Sequence, residues 1–533
     1  MTRSAGELSR TDGAAGRGPR VAIVGGGLAG MSAAESLARS GVSSVTIFEA
    51  RRTTGGRAGS FVDPQTGESV DYCQHVAMGC CTNLLAMLDD CGLADQFDRH
   101  DRLSFHHPDV SPSRFEASRF LPPPLHLLPA LGRLRYLTLA QRWQVIRGTA
   151  RLMRQSTLDL RSISAADWLR EAGQSPATIA DYWDVVIVSA LGESSRTASM
   201  AAARKVFVDG FLAARGASDV WIPRLPLSEL FGRRLPATLE RLGVELRPGV
   251  AIRSVRLAGD SADGTTIGGK SADEGGLWVE WAAGYRDGES RAGAELASGS
   301  RIDGAPFDQV IVAVPWHRIA RVIDAELALQ AGLDVERWAA CPASPISGVH
   351  LWFDRRITSA AHAVLVGTLS QWLFCRPGDL GTSAAETPRH YYQVVISASR
   401  SVRHQSQDAI VEQVVRELQA AFPKAGSARL LAARVVTDPF SVFSISPEVD
   451  ACRPVATTDV PGLHLAGDFL QTGWPATMEG AVISGRMAAN SVLRSLGRPQ
   501  RTIDRGLPWG RLSRWLIRHD RVDCDWFGEA DLA

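Results

Sequence analysis

The stretch Val21 to Ala50, VAIVGGGLAGMSAAESLARSGVSSVTIFEA, restricts the fold more than any other part of the chain. Its opening run, Val21 to Gly25, predicts a buried strand that enters Gly25-x-Gly27-x-x-Gly30, and an Ala/Leu-rich helix follows. Gly25 permits the tight turn, Gly27 lets backbone approach a pyrophosphate, and Gly30 lets the helix pack closely on the strand. The helix N-terminus then offers phosphate its unpaired N–H groups and the positive end of its dipole. A second strand, Val45 to Phe48, ends in Glu49. An acceptor for ribose hydroxyls belongs about 20 residues beyond the glycines. Strand, glycine turn, helix, strand and acid together predict a dinucleotide site.

The next residues decide which dinucleotide. Glu49-Ala50-Arg51 is followed by Gly55-Gly56-Arg57 and Ser60, a second glycine turn with a fixed cation. A nicotinamide domain has no need of that turn. A longer flavin dinucleotide can use Arg57 against its phosphates, since guanidinium pairs well with phosphate oxygens. The segment resembles the flavin-containing amine oxidase and phytoene desaturase superfamily, where E-A-R-x-x-x-G-G-R lies in the FAD site. That resemblance implies an α/β fold: a Rossmann-like FAD-binding domain interleaved with an α+β substrate domain of antiparallel sheet plus helices.

A chain of 533 residues exceeds a single ordinary core, and two interleaved domains are expected. The expected boundaries put the FAD-binding domain at 20–110, 221–317 and 438–496, and the substrate domain at 111–220 and 318–437. A disordered tail, 1–19, and a C-terminal tail, 497–533, flank them. A formal net charge of +1 and no cluster of basic and aromatic residues give no expectation of nucleic acid binding. The 8 cysteines show no paired CxxC spacing, which excludes a zinc pattern or disulfide framework and suits a reducing cytoplasm. No metal site is expected. The N-terminal segment lacks the apolar core of a secretory signal, and no apolar run is long enough for a spanning helix.

Further segments resemble one branch of the superfamily, the hydroxysqualene dehydroxylases (squalene-associated FAD-dependent desaturases). Val70-Asp71-Tyr72-Cys73-Gln74-His75-Val76 is similar to the branch's D-x-G-Q-H, with Cys73 where that pattern has glycine. By resemblance this segment passes close to the flavin ring, Gln74 contacts the cofactor, and Asp71 and His75 are candidates for a catalytic acid or its orienting partner. Leu121-Pro122-Pro123-Pro124-Leu125-His126-Leu127 cannot be a helix interior, because prolines remove donors and fix φ. It reads either as a branch signature or as a connector leading into helices from about Leu131 to Met153. Residues from Ala165 to Leu212 are mostly helical in pattern. Trp168, Trp183, Val186 and Leu191 there read as core, with substrate lining the alternative. Pro223-Arg224-Leu225-Pro226-Leu227-Ser228-Glu229 enters another helix, with Ser228 or a neighbour as its cap.

The resemblance places Ile252 where the superfamily makes backbone contacts to adenine. Residues 257–306, rich in Gly, Ser, Asp and Ala, predict a β-meander carrying a flexible insertion. Phe307 to Pro315 predicts one buried strand, and strands without intervening helices from Ser344 to Ser397 predict an antiparallel floor to a substrate cavity. Near the end, Leu463-His464-Leu465-Ala466-Gly467-Asp468 is a strand ending in Gly-Asp, and Thr472 to Ala481 opens a helix. That helix N-terminus can face flavin carbonyls. By resemblance to L-A-G-D-x-x-x-T-G-x-P-A-T-x-E-G-A, the cofactor set gains Gly467, Asp468, Thr477, Met478, Glu479 and Ala481. Ala481, Ser484, Gly485 and Ala488 suit close helix packing. Trp509, Leu512, Trp515 and Leu516 recur amid Arg511, Arg514, Arg518 and Arg521. This basic amphipathic segment fits either a membrane interface or the protein's own surface.

The branch implies an FAD enzyme that reductively removes the hydroxyl of hydroxysqualene, an isoprenoid lipid, to give squalene in hopanoid biosynthesis. It also implies a location in the cytoplasm or at the inner face of the membrane. A carotenoid-type desaturase, an amine oxidase, and a prenyl-lipid escort protein without redox work stand as the alternatives.

Overall fold

The two glycine-bearing ends of the chain meet in one parallel sheet. Strands Glu245–Pro248, Ser44–Glu49, Arg20–Val24, Gln309–Val312 and Leu463–Leu465 lie side by side in that order, every pair parallel. Val21, Ala22, Ile23, Ile47, Val310 and Ile311 are fully enclosed, which is why these strands read as continuous apolar runs instead of alternating ones. The computed structural model describes residues 18–257, 276–282, 302–376 and 389–519. Nearly all of the expected N-terminal tail, parts of the Gly/Ser-rich insertion and the end of the C-terminal tail lie outside them.

Helix Met478–Ser495 packs on helix Leu28–Arg39, which follows the first glycine turn. A Cβ at Gly485 would lie 2.2 Å from the Ala29 carbonyl oxygen, and Ser32 Oγ donates to the Val482 carbonyl at 2.9 Å. The small residues of the later helix thus permit the close approach expected of them.

The meander forms from Ile252–Leu257, Leu277–Ala282 and Ile302–Phe307. The single strand expected from Phe307 to Pro315 is broken at Asp308. Phe307 closes the meander and Gln309 opens a parallel strand, while the Asp308 carboxylate accepts the Arg20 N–H at 2.7 Å. Changing sheets requires that break.

The second sheet has seven strands, ordered Leu430–Phe443, Ala343–Phe353, His390–Ile396, Trp372–Cys375, His362–Leu365, Arg102–His107 and Val110–Glu116. All pairs are antiparallel except His362–Leu365 with Arg102–His107. The chain therefore enters this sheet at Arg102, ahead of the boundary expected after residue 110, and leaves it at Phe443, beyond the boundary expected at 437. The cause is long-range burial: Leu103, Phe105 and Phe115 pack with Val364, Phe374 and Val395. A helical layer covers this sheet. The helices expected from about Leu131 to Met153 are Leu128–Arg133 and Leu139–Leu152. Thr138 starts the second with a reciprocal cap, its Oγ1 accepting from Gln141 N at 3.2 Å while its own N–H donates to Gln141 Oε1 at 2.8 Å.

Candidate functional site

The first glycine turn has one face turned into the protein and one left open. Gly26 and Gly30 are buried, whereas Gly25 and Gly27 stay partly accessible. Gly25 has φ +116°, and a Cβ at Gly30 would sit 2.0 Å from the Gly25 carbonyl oxygen, so both positions exclude side chains. A Cβ at Gly27 would meet nothing nearer than Gly56 Cα at 4.0 Å. Close packing requires Gly30; the space in front of Gly27 belongs to something else. The second glycine turn is strapped to the first, with Gly55 N–H donating to the Gly26 carbonyl at 2.9 Å and Arg51 Nη1 to the Gly56 carbonyl at 3.0 Å. The Glu49 carboxylate, 8% exposed, accepts from Gly26 N and Arg51 N, each at 2.8 Å. It fixes the turn from the end of the second strand.

From the far end of the sequence, Asp468 Oδ1 accepts from Arg57 Nη2 at 2.6 Å, and Arg57 Nη1 donates to the Ser441 carbonyl at 2.7 Å. Arg57, expected against phosphates, is thus committed to Asp468 and lies over the Trp316 ring. Helix Met478–Ser495 begins beside this pair, its cap made by Thr477 Oγ1 accepting from Gly480 N at 3.1 Å. Thr477, Met478 and Ala481 stay partly accessible on one helical face, while Glu479 is buried. Its carboxylate turns away and accepts from Asn83 N at 3.0 Å, Asn83 Nδ2 at 2.8 Å and Leu84 N at 2.7 Å. Expected at the cofactor, Glu479 instead serves helix Thr82–Asp90, because helical rotation of 100° per residue sends it to the other side. Ile252 is paired with Trp281 in the meander. The backbone contact to the Glu49 strand is made by Val250, whose N–H donates to the Glu49 carbonyl at 2.9 Å.

Arg453 carries no local sequence signal. Buried, it donates to the carbonyls of Asp468 at 3.1 Å, Phe469 at 3.2 Å and Trp474 at 2.6 Å, and also to that of Leu470. One guanidinium thereby gathers the loop between the Gly-Asp turn and the helix.

The other half of the site is an apolar chamber of about 320 Å³ between the seven-stranded sheet and the helical layer. Leu103, Phe105 and Phe374 rise from the sheet, and Leu131, Val186 and Phe207 descend from the helices. Trp168, Trp183 and Leu191 are core, as expected, but Val186 from the same run lines the chamber. Pro124, Leu125 and Leu127 of the proline segment line it too. Among the described residues, none on its wall is Asp, Glu, Lys, Arg or His. Burial pushes up the phenol of Tyr136 and raises that of Tyr182 to about 12.

Gln74, Val76 and Met78 bring the expected flavin-proximal segment to the chamber wall. His75 between them is absent from that wall. Its Nδ1 lies 2.9 Å from the Cys73 carbonyl, and burial holds the imidazole below its ordinary value. Asp71 is 9% exposed. Its Oδ1 accepts from Ser60 Oγ at 2.6 Å and from Leu227 N at 2.9 Å. The helix start, expected to be capped by Ser228 or a neighbour, is therefore capped from a distant strand. Burial raises the Asp71 carboxyl to about 6 against those two donors and Arg376.

A family model described as flavin containing amine oxidoreductase matches residues 28–493. The chain belongs to that family. Its cofactor is FAD, and the fold fits one: Gly25 and Gly27 keep an open face, the second glycine turn is strapped to the first, and Arg57 ties that turn to Asp468. Among curated relatives, 15-cis-phytoene desaturase of Solanum lycopersicum is 24% identical over 516 residues, spanning 91% of this chain and 80% of that protein. Zeta-carotene desaturase of Synechocystis is 24% identical over 518 residues, spanning 91% and 99%. Among solved structures, cyclohexylamine oxidase from Brevibacterium oxydans matches with TM-score 0.58 at 18% identity, over 90% of this chain and 100% of that one. An oxidoreductase from Methanosarcina mazei matches with TM-score 0.60 at 14% identity, over 87% and 98%. These relatives support the carotenoid-desaturase alternative ahead of the hydroxysqualene reading.

Helix Arg511–Leu516 is shorter than the expected amphipathic segment. Its Ser513 and the following Ile517 are buried, and Ile517 packs with Val208, Ala213, Met153 and Trp509. Trp515 is 81% exposed. The segment is docked on the protein by one side and open on the other. Among the described residues no helix is long and apolar enough to cross a membrane.

Proposed function

We propose that this FAD-dependent oxidoreductase acts on a long, uncharged isoprenoid lipid, introducing a double bond as a carotenoid-type desaturase does. The carrying observation is the chamber: a large apolar space with no carboxylate, imidazole or fixed cation on its wall among the described residues. An amine substrate that enters as a cation would be desolvated there without a counter-charge, at a cost of several kcal/mol. A hydrocarbon chain gains about 25 cal/mol for each Å² of its surface removed from water. The named relatives are desaturases of carotenoid precursors. The intact glycine cradle and the Arg57–Asp468 pair favour redox work over a lipid escort without flavin chemistry.

A second reading is reductive loss of hydroxyl from hydroxysqualene. The four segments 70–76, 121–128, 223–229 and 463–481 support it, since each is similar to the dehydroxylase branch. Two of them supply chamber wall, through Gln74 and Val76 and through Pro124, and a third is tied to the first where Asp71 accepts from Leu227 N. Within either reading, Gly25, Gly27, Glu49, Thr477 and Met478 would hold FAD beside the Arg57–Asp468 pair, and bound FAD would supply hydride exchange with the lipid.

The lipid is delivered from an anionic membrane surface. Leu128 and Met153 line the chamber, Leu128 is 41% exposed, and the Met153 carbonyl accepts the Arg518 N–H at 2.7 Å. The chamber thus opens beside the helix that bears exposed Trp515. Arg511 and Arg514 on that helix are exposed and make no ion pair among the described residues. Aromatic and basic side chains together suit a lipid interface.

Anaerobic mixing tests the reading. Oxidised, FAD-loaded protein should bleach with phytoene as the polyene gains a double bond. If reduced protein is instead reoxidised by hydroxysqualene with squalene formed, the second reading replaces the first. No flavin change with either lipid overturns both.

A further inference from the structure

We propose that a small polar pocket beside Asp71 is the proton port of the apolar chamber, with Asp71 as the group that exchanges the proton. This rests on the isoprenoid reading above. Both directions of that chemistry move a proton. In desaturation one C–H bond yields its electron pair as hydride to oxidised flavin, the neighbouring C–H yields a proton to a base, and C=C forms. In dehydroxylation the C–O bond breaks, carbon receives hydride from reduced flavin, and the departing oxygen takes a proton and leaves as water. Among the described residues the chamber wall carries no carboxylate or imidazole, and burial holds its phenols protonated, which denies them the role of base and makes them weak acids.

The pocket, about 40 Å³, is lined by Ser69, Asp71, Gln74, Arg376, Tyr391 and Gln393 among others. A volume of that size holds about three ordered waters. Gln74 and Phe374 line both the pocket and the chamber, so these two side chains form their shared wall. Exposed Arg224 also lines the pocket, giving it a side toward solvent. Both hydrogen bonds of the Asp71 carboxylate fall on Oδ1. Its Oδ2 makes no hydrogen bond to the described residues.

The pocket also holds the Cys375 thiol, and its charged groups are each engaged. Arg376 is bound to Glu68 at 3.0 Å and lies over the Tyr391 ring. Arg224 is held by Asp98 at 2.7 Å, and the Tyr391 hydroxyl meets His350 Nδ1 at 2.8 Å. Burial raises the Cys73 thiol to about 12 and pushes the Tyr391 phenol up, so neither competes near neutrality. An acid that titrates near the working pH is the most efficient proton carrier.

Asp71→Asn and Gln74→Leu, made in the full FAD-loaded chain, test this. Gln74→Leu leaves the Asp71 cap on Leu227 untouched, so it remains informative should Asp71→Asn fail to fold. Single-turnover flavin redox is followed against pH, with the solvent isotope effect. The wild type should show a limb near pH 6. Asp71→Asn should lose that limb and slow by about 10²-fold or more, while Gln74→Leu should slow turnover and alter the isotope effect. Infrared spectroscopy should show a protonated-carboxyl band that disappears as pH rises through about 6 and is absent from Asp71→Asn. A purely structural Asp71 would lower flavin content or stability without moving the limb. Either variant turning over within twofold of wild type, limb and isotope effect unchanged, overturns the port. A wild type inert toward both lipids overturns the isoprenoid reading, and the port with it.

Discussion

Replacing Glu479 separates a cofactor contact from a structural one. In Glu479→Ala two backbone N–H groups at the start of helix Thr82–Asp90, those of Asn83 and Leu84, lose their acceptor inside the protein. Asn83 Nδ2 keeps its bond to the Asp504 carbonyl at 2.7 Å. Each stranded buried donor costs about 1–3 kcal/mol, and losing a negative charge at a helix N-terminus adds about 0.3–1 kcal/mol. Some of that is returned because a buried carboxylate no longer has to be desolvated, leaving about 3 kcal/mol. Glu479→Gln preserves shape but opposes an N–H donor with an amide N–H, and should cost about 2 kcal/mol. Urea unfolding of the FAD-loaded variants, read by tryptophan fluorescence, measures the loss; flavin absorbance per protein measures occupancy. The expected result is a lower midpoint with near-stoichiometric FAD in Glu479→Gln. A wild-type midpoint with FAD lost would refute the reasoning and return Glu479 to the cofactor.

The two glycines of the first turn should behave differently. Gly30→Ala drives a Cβ to 2.0 Å from the Gly25 carbonyl and should prevent stable folding, whereas Gly27→Ala meets only open space and should fold while losing FAD affinity; expression yield, unfolding midpoint and flavin titration check both. Asp71 titrates near 6 when folded, above its ordinary value of 3.8. Its contribution is therefore fully present below pH 3.8 and lost as pH rises through 6, by up to about 3 kcal/mol. The stability difference between wild type and Asp71→Asn, measured across that range, should fall with rising pH. Trp515→Glu should weaken sedimentation with phosphatidylglycerol vesicles severalfold, yet leave turnover of detergent-dispersed lipid unchanged; equal sedimentation would remove the helix from the membrane contact.

The dinucleotide cradle was legible in the residues alone. A tight turn, an absent Cβ and an acid closing the next strand are requirements of neighbouring atoms, so Gly25, Gly27, Gly30 and Glu49 show them at fixed spacing. The small-residue stripe of the last long helix was legible for the same reason. The pairs that join residues far apart arise only when the whole chain is folded: Arg57 with Asp468, Glu479 with Asn83, Asp71 with Leu227, and Arg453 with its loop of carbonyls. The same holds for the hairpin Arg102–Glu116, whose place in the second sheet depends on a parallel pairing of Phe105 with Val364. Chamber and core are built from one vocabulary of apolar side chains, and periodicity marks a buried face without marking what it is buried against. Trp183 and Val186, three residues apart, are therefore alike in pattern and opposite in role, because packing across the interior fills one side and leaves the other open.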